Sequence, residues 1–330
     1  MSSGSVSPPR VWAVHDGRIG ITNQVLGLAE AVGWPVEERR IDVRFPWRHL
    51  APQLWPRPLA ALSPASDRLG PPWPDLLVGC GRLTAAPAAA VRKASGGRTF
   101  VVQIQDPKLS PSRFDLLVVP EHDRLRGANV LVTRGAVHRV TPERLKDAAS
   151  RFAPRFENLP RPLIAVLIGG NNKAYRLTTR RLAELAEQLA GLARHGAGLL
   201  VTPSRRTGPA GECLLREALA GLPARIWDGG GDNPYFGYLA LADAILVTED
   251  SVSMTSEAAS TGKPVYVISL EGAGSQKFRQ FHASLRSAGV TRPFEGEVER
   301  WTYEPLDDTA RAAAEIQRRM AARAVSAKAA

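Results

Sequence analysis

The stretch Leu163-Ile164-Ala165-Val166-Leu167-Ile168-Gly169-Gly170 decides the fold of this chain. Six apolar residues in a row predict a strand that is buried on both faces, as in parallel sheets, and two glycines end it. Just before this strand, residues 154–162 are rich in proline and charge. Such a segment predicts a domain boundary, because linkers between domains have this composition. We therefore place a first domain at 1–157 and a second at 158–305.

Strands and helices alternate on both sides of this stretch. The strands predicted before it include the buried runs Leu76–Gly79 and Phe114–Val119, and helical periodicity covers residues 19–32 and 83–94. The strands predicted after it are 198–202, 225–227, 244–247 and 265–268, each followed by a helix. This order is typical of α/β proteins, so we predict two doubly wound, Rossmann-like domains. An amphipathic segment within 306–330 predicts a terminal helix.

The composition is that of a globular protein. Of the 330 residues, 44% are hydrophobic and 23% are charged. No run of about 18 apolar residues predicts a transmembrane helix, and Met1–Ser5 lacks the basic start and apolar core of a signal peptide. Two cysteines, Cys80 and Cys213, are too few for a disulfide framework, which indicates a reducing compartment. We therefore expect a cytoplasmic protein that can lie peripheral to the inner face of a membrane.

The net charge of +11 is uneven along the chain. Residues 1–160 carry +8 and residues 161–330 carry +3. The first half therefore attracts anions, and an anionic membrane surface or a lipid-linked acceptor is an expected partner. Of the 43 basic residues 36 are Arg, a bias typical of bacteria with GC-rich genomes, so part of the charge reflects composition. Aromatic residues are few and dispersed, so no specific nucleic-acid partner is expected.

Several catalytic motifs are absent from the sequence. It contains no GxxxxGKS/T, HExxH, CxxC or GxSxG pattern. This absence removes support for P-loop ATPases, zinc hydrolases and serine hydrolases, and no metal site is expected. A dinucleotide fingerprint is also missing, because the first loop reads DGRIG.

Two glycines follow the strand that decides the fold. Gly169 and Gly170 leave room for backbone N–H groups to approach an anion, and Asn171 and Lys173 follow them. The loop therefore predicts a diphosphate site. A tight turn with surface cations is the alternative interpretation.

The predicted strand 244–247 leads into a helix start that is rich in hydroxyl groups. Ser251 and Ser253 lie where free N–H groups and the helix dipole bind phosphate oxygens. Glu257, one to two turns further on, is placed to accept hydrogen bonds from a ribose diol. Each serine taken alone is more commonly an N-cap.

Two further loops extend the predicted nucleotide site. Arg205 and Arg206 follow a strand and suit bidentate contacts to phosphate, with a plain surface role as the alternative. The loop 228–235, which contains Asn233 and Tyr235, is placed to offer main-chain groups to the edge of a nucleobase.

The first domain supplies candidate catalytic groups after its first strand. Asp16 or His15 would act as a general base toward an acceptor hydroxyl. Arg18, Asn23 and Gln24 follow and would bind the acceptor. The alternative is that Asp16 caps the loop or the helix and that His15 is packed.

Other strand ends of the first domain would line the acceptor pocket, through Arg82, Asp106, Lys108 and His122. Ligands bind at the carboxyl ends of parallel strands. Two such domains that face each other would therefore enclose one cleft.

At these residues the sequence resembles the Elm-type mitochondrial fission family of bacterial and plant proteins. The matching stretches are HDGRIGITNQ, GCGRLTA, QIQDP, FDLLVVPEHD, IGGNNKAY, TPSRRT and DNPYFGYLALADAILVTEDSVSMTSEAASTGKPVYV. They span nearly the whole chain, and the last is the most specific. The resemblance implies the GT-B glycosyltransferase architecture, in which the second domain binds a nucleotide sugar and the first binds the acceptor. It also implies that the helix within 306–330 crosses back to the first domain.

This resemblance implies a metal-independent glycosyltransferase that uses a nucleotide diphosphate sugar as substrate, without a cofactor, and a lipid-linked or saccharide acceptor. A nucleotide-sugar 2-epimerase uses the same architecture and would need two acid/base groups, for which Asp16, Asp106 and His122 are candidates. A non-catalytic interaction protein at a membrane surface is the third interpretation, since plant members of the family are linked to organelle fission.

Glu249 and Glu257 also have the E-x7-E spacing of certain retaining GT-B enzymes. In those enzymes the first glutamate is followed by Pro-Phe-Gly, whereas Glu249 is followed by Asp250-Ser251. We therefore expect Glu249 to face solvent rather than to share their role.

Overall fold

The computed structural model, which describes residues 8–329, follows the predicted alternation of strand and helix. The first elements are β1 (Val11–His15), α1 (Ile19–Ala31), β2 (Val36–Arg40), β3 (Leu76–Cys80), α2 (Arg82–Ala94), β4 (Phe100–Ile104), β5 (Leu116–Pro120) and β6 (Val130–Thr133). They are followed by α3 (Pro142–Phe152), β7 (Leu163–Ile168), α4 (Thr179–Arg194), β8 (Gly198–Pro203), α5 (Gly208–Ala218), β9 (Ala224–Ile226) and α6 (Tyr235–Leu241). The last are β10 (Ala244–Thr248), α7 (Val252–Ala259), β11 (Val265–Ile268), α8 (Gln276–Ser287), β12 (Thr291–Pro293) and α9 (Asp308–Ala329).

These strands form two parallel sheets of six strands each. The first has the order β2-β1-β3-β4-β5-β6, and the second has the order β12-β11-β10-β7-β8-β9. The strand order reverses between β1 and β3 in the first sheet and between β7 and β10 in the second. Ligands of doubly wound folds bind beside the carboxyl ends of the strands at such switch points. The topology therefore directs attention to the residues that follow β1, β3, β7 and β10.

Each sheet is covered on both faces, which explains the continuous apolar runs. In β1, Val11 and Ala13 pack with residues of α1 and α9, whereas Trp12 and Val14 pack with residues of α2. In β7, alternate residues likewise join two different core clusters on the two faces of the sheet. A strand with helices on both faces has no polar side, so the sequence shows no alternation.

The chain divides into two compact units at a different place from the predicted 157/158 boundary. The first unit runs to Arg139 and takes in the chain from Asp307 onward, and the second is Val140–Leu306. The helix α3 belongs to the second unit because it packs against α6. Its start has an N-cap signature, in which the side chain of Thr141 accepts a hydrogen bond from the N–H of Arg144 at 3.2 Å.

The terminal helix α9 joins the first unit, as the family resemblance implies. The carboxylate of Asp308 accepts hydrogen bonds from the N–H groups of Gly135 at 2.7 Å and Arg134 at 3.2 Å. Ile316 is buried in the same core cluster as the residues of α1. Of the helices that the structure describes, none combines the length and the apolar character needed to span a bilayer.

Candidate functional site

The second unit brings the loops after β7 and β10 into direct contact. The N–H of Gly169 donates to the hydroxyl of Thr248 at 2.7 Å, and the N–H of Gly170 donates to Oδ2 of Asp250 at 3.1 Å. The sequence predicts that these two N–H groups bind a diphosphate. In this structure they are engaged within the chain, and the anion at Gly170 is the carboxylate of Asp250.

The buried carboxylate of Asp250 is the centre of this contact. Nη1 of Arg206 lies 2.6 Å from its Oδ2. Burial raises the pKa of Asp250, although Thr248, Arg206 and the N–H of Gly170 each act in the opposite direction. Asp250 was not among the predicted site residues, but its position directly after a buried strand at a switch point was the available signal.

Close packing explains why both residues after β7 are glycines. A Cβ atom at residue 169 would lie 2.3 Å from the carboxylate oxygens of Asp250. A Cβ atom at residue 170, where φ is +149°, would lie 2.2 Å from the carbonyl oxygen of Arg206. Neither position has room for a side chain, so this loop can pack against the carboxylate of Asp250 and the backbone of Arg206 only as Gly-Gly.

The two arginines predicted to bind phosphate lie in different surroundings. Arg206 pairs with Asp250, and its N–H donates to the hydroxyl of Ser204 at 3.2 Å. Arg205 is exposed. The exposed guanidinium of Arg205 is therefore the one that a ligand can recruit without disturbing the Asp250 contact.

The loop after Gly170 is ordered by two asparagines. Oδ1 of Asn171 accepts a hydrogen bond from the N–H of Leu177 at 2.8 Å. Asn172, which was not among the predicted site residues, accepts from Ala174 at 2.7 Å and donates to the carbonyl of Asp250 at 3.2 Å. Lys173 follows them and is exposed, so a fixed loop presents its ammonium group.

The start of α7 combines an N-cap with a first turn that contains hydroxyl groups. The hydroxyl of Ser251 accepts a hydrogen bond from the N–H of Met254 at 3.2 Å, which is the predicted alternative role of this serine. Ser253 lies in the first turn, where N–H groups have no acceptor within the helix. This turn contains no acidic residue. The helix start therefore favours an external anion.

The structure brings Asn233, Tyr235 and Glu257 together. Oδ1 of Asn233 accepts a hydrogen bond from the N–H of Tyr235 at 3.0 Å at the start of α6. The hydroxyl of Tyr235 donates to Oε2 of Glu257, which is 4% exposed. Burial raises the pKa of Glu257 to about 7 and that of Tyr235 well above its usual value. A carboxyl group that ionises near neutrality is a common mark of a functional site.

Glu249 does not face solvent freely, contrary to the expectation from the sequence. It is half-buried, and its carboxylate accepts hydrogen bonds from the N–H of Leu270 and the hydroxyl of Tyr175. Burial raises the pKa of Glu249. This carboxylate therefore ties together the loops that follow β7, β10 and β11.

In the first unit, His15 is buried and both of its ring nitrogens are engaged. Nδ1 accepts a hydrogen bond from the N–H of Gly17 at 3.0 Å, and the hydroxyl of Thr22 lies 3.1 Å from the same nitrogen. The proton is then on Nε2, which donates to Oε1 of Glu38 at 2.7 Å. This arrangement matches the packed alternative for His15.

Asp16 is also held within the chain. Its Oδ1 accepts from the N–H of Arg18 at 3.2 Å, and its Oδ2 accepts from Nε of the same residue at 2.9 Å. The carboxylate therefore caps its own loop, as in the predicted alternative. A role as general base requires an acceptor to compete with the exposed guanidinium of Arg18.

A buried polar contact joins α1 to the ends of β3 and β4. Oε1 of Gln24 accepts from Nε2 of Gln105 at 3.2 Å and from the thiol of Cys80 at 3.7 Å. Burial raises the pKa of Cys80, so its thiol is unreactive. Gln105 has φ +68°, a left-handed conformation that is uncommon outside glycine. Gln105 is not among the predicted acceptor residues. Asn23, which is one of them, precedes Gln24 on α1 and is half-buried.

The remaining predicted acceptor residues fall into two groups. The guanidinium of Arg82 donates to the carbonyl of Leu50 at 2.7 Å, so it supports a loop. The carboxylate of Asp106 pairs with the side chain of Lys108, and the N–H of Asp106 lies 3.4 Å from Oδ2 of Asp123. That contact joins the end of β4 to the 3-10 turn that contains His122.

Sequence comparison identifies a family. The family model described as mitochondrial fission ELM1 matches residues 19–320. The mitochondrial fission protein ELM1 of Arabidopsis thaliana is 36% identical over 277 residues, which cover 76% of this chain and 65% of the plant protein. The match thus spans less than two thirds of the length of that relative.

Structural comparison confirms the predicted GT-B-like fold. The UDP-GlcNAc 2-epimerase of Methanocaldococcus jannaschii matches 93% of this chain and 98% of its own, with 12% identity and a TM-score of 0.57. A putative UDP-N-acetylglucosamine 2-epimerase of Listeria monocytogenes matches 94% and 95%, with 14% identity and a TM-score of 0.55. At such identity the likeness establishes the fold alone.

Proposed function

The chain belongs to the mitochondrial fission ELM1 family, and we propose that its second unit binds a nucleoside diphosphate sugar as the donor for glycosyl transfer. In this proposal the diphosphate lies against the first turn of α7 at Ser253, with Lys173 and Arg205 as exposed cations. The ribose diol binds Glu257.

One observation carries this proposal: Glu257 is a buried carboxylate on α7, one to two turns after the helix start that would bind the diphosphate. Burying a group that ionises near neutrality costs stability, so its presence favours a functional role. Tyr235 engages Oε2, and Oε1 is the oxygen offered to a diol. A carboxylate for the ribose and a helix start for the diphosphate are complementary to the two halves of one nucleotide.

Transfer to an acceptor would use Asp16 or His15 of the first unit as the base, and no metal. Because Nε of Arg18 donates to Asp16 and the N–H of Gly17 donates to Nδ1, the basic nitrogen of His15, an acceptor hydroxyl would have to displace one of these donors. The leaving diphosphate would be stabilised by the α7 dipole and the exposed cations. An acceptor linked to an anionic lipid would suit the positive charge of the first unit.

A 2-epimerase activity is the second candidate. The two matched structures carry the name UDP-N-acetylglucosamine 2-epimerase, and the raised pKa of Glu257 gives this chain a group that could exchange protons near neutral pH. Incubation with UDP-N-acetylglucosamine without any acceptor distinguishes the two, because only an epimerase forms product.

Binding without catalysis is the third candidate, and the engaged state of His15 and Asp16 favours it. The relative from Arabidopsis thaliana is named for mitochondrial fission rather than for an enzyme activity. In this case Asp16→Ala and His15→Ala would each leave the function intact in a complementation assay, whereas a transferase would lose it with at least one of the two.

Titration calorimetry with UDP, GDP and ADP tests the proposed site. We expect one of them to bind, and Glu257→Gln to weaken it at least about tenfold, or about 1.4 kcal/mol. The exposed Glu187→Gln on α4 is the matched control and should bind as the parent does. With the 2′-deoxynucleotide the effect of Glu257→Gln should shrink. Absence of binding to all three in a folded sample would remove the basis for the proposal.

A further inference from the structure

The segment 44–57 of the first unit forms a surface that has no part in the proposed nucleotide site. It lies between β2 and β3 and contains 3-10 turns at Trp47–His49 and Pro52–Leu54. Among the residues that the structure describes, four large hydrophobic side chains are exposed, and two of them are here: Phe45, 80% exposed, and Leu54, 59% exposed. Single exposed apolar side chains are ordinary, but two in one short segment indicate an interaction site.

The inner side of the 44–57 surface is packed and fixed. Trp55 is buried in a core cluster of the first unit, and Trp47 packs partly against the same cluster. The carbonyl of Leu50 accepts hydrogen bonds from the guanidinium of Arg82 at 2.7 Å and from Nε1 of Trp55 at 3.4 Å. The exposed side chains therefore project from a rigid support and not from a loose loop.

The charge of this surface has one sign. Between Asp42 and Asp67 the sequence contains no acidic residue. Arg44, Arg48 and Arg57 are exposed within it. The first unit as a whole shares this sign, with 23 Lys and Arg against 14 Asp and Glu, compared with 20 against 18 in the second unit.

Exposed apolar side chains on a basic, acid-free surface match the boundary of an anionic lipid bilayer. Anionic headgroups attract arginines, and the region just below them accepts Phe and Leu side chains. We propose that the 44–57 surface docks the protein on an anionic bilayer, with Phe45 and Leu54 inserted among the headgroups. This docking is independent of the nucleotide site, and each proposal can fail without the other.

Cosedimentation of the full chain with vesicles tests the docking. We expect binding to vesicles in which about a third of the lipid is phosphatidylglycerol, and weak binding to pure phosphatidylcholine. The double variant Phe45→Ser with Leu54→Ser should lower the partition coefficient at least about tenfold. Val325→Ser, at a side chain on α9 that is 70% exposed, is the matched apolar control and should bind as the parent does.

A second pair of variants tests the charge. Arg48→Gln with Arg57→Gln should weaken binding and reduce its dependence on salt more than Arg113→Gln with Arg134→Gln, which removes two exposed arginines elsewhere on the first unit. If the variant with Phe45→Ser and Leu54→Ser does not fold, the comparison of these two arginine variants tests the docking. Equal binding of all variants, or absence of binding to the anionic vesicles, overturns the proposal and leaves a protein partner as the occupant. Nucleotide titration of each variant should be unchanged.

Discussion

The switch points of the two units have the same topology but hold their acidic residues differently. In the first unit, His15 ends β1 and Asp16 follows it, and they pair with Glu38 and Arg18, whose side chains are more than half exposed. Asp16 also accepts a hydrogen bond from the exposed N–H of Arg18 in its own loop. In the second unit, Asp250 follows β10, pairs with Arg206 and accepts from the buried N–H of Gly170, which lies in a different loop. Water can replace the partner of an exposed N–H at low cost, whereas a buried N–H that loses its acceptor stays unsatisfied. The contacts at the first switch point are therefore easier to rearrange than those at the second.

The largest expected effect tests how rigid the second switch point is. Gly170→Ala would place a Cβ atom 2.2 Å from the carbonyl oxygen of Arg206, at a φ of +149°. We expect it to lower the free energy of unfolding of the second unit by more than about 3 kcal/mol. Urea unfolding followed by hydrogen–deuterium exchange reports each unit separately.

The matched control for this change is Gly191→Ala. Gly191 lies inside α4, and a Cβ atom at this position would meet nothing within 4 Å beyond the backbone of its own helix. A glycine inside a helix is unfavourable, so alanine should stabilise the unit by about 0.5–1 kcal/mol. If Gly170→Ala were as harmless as this control, the packed Gly-Gly loop would not hold the site together.

A comparison of two aspartates gives the next effect. Asp250→Ala leaves the N–H of Gly170 without its acceptor, and we expect a loss of about 2–3 kcal/mol. Asp16→Ala removes the acceptor of the N–H and the guanidinium of Arg18, which water can replace because both are exposed, and should cost less than about 1 kcal/mol. Chemical denaturation of both variants checks the difference, and similar losses would contradict the contrast between the two switch points.

The pH dependence of stability tests the buried state of Glu257. The pKa of this carboxyl is raised from 4.5 to about 7 in the folded protein, so between these pH values the folded chain holds a proton that the unfolded chain has lost. Its contribution to the free energy of unfolding is therefore full below pH 4.5 and is lost as the pH rises through 7, by an amount on the order of 3 kcal/mol. Glu257→Gln should flatten this part of the profile in urea titrations at pH 5 and pH 8, whereas Glu187→Gln should keep it.

A smaller effect than that of Asp250→Ala is expected in the first unit, at the attachment of α9. Asp308→Ala removes the acceptor of the N–H groups of Gly135 and Arg134, and we expect a loss of about 1–2 kcal/mol. Asp307→Ala, at the exposed neighbouring residue, should have little effect. In Asp308→Ala, protection from hydrogen–deuterium exchange should fall in α9 and α1, whereas protection in the second unit should be unchanged. A loss of protection in both units would show that they do not unfold independently.

Much of the fold was predictable from local patterns. The runs in β1, β5 and β7 are apolar throughout because helices cover both faces of each sheet, and this burial is visible in the sequence. The helix α3 is not among the predicted helices, although Thr141-Pro142-Glu143 is a helix-start signature. Because α3 packs on α6, it belongs to the second unit, and the boundary lies at residue 139 instead of the predicted residue 157.

The candidate site was predictable in its residue types but not in its pairings. Ser251 has the hydroxyl of an N-cap, and Glu257 follows it on the same helix, so both can be identified locally. The contact between Tyr235 and Glu257 and the left-handed backbone of Gln105 have no such local signal. The sequence also could not indicate that Arg82 supports the carbonyl of Leu50 instead of an acceptor.

The features that the sequence determines and those that depend on the tertiary structure differ in the range of the interactions involved. Apolar runs, N-caps and glycine turns act over a few residues, so the amino-acid order alone determines where strands begin, where helices start and which loops carry polar groups. Gly170 and Asp250 are separated by 80 residues and meet only because β10 is placed beside β7 in the sheet. That strand order depends on packing across the whole unit. It turns a predicted phosphate loop into one that holds a buried carboxylate, so the proposed anion site rests on the start of α7.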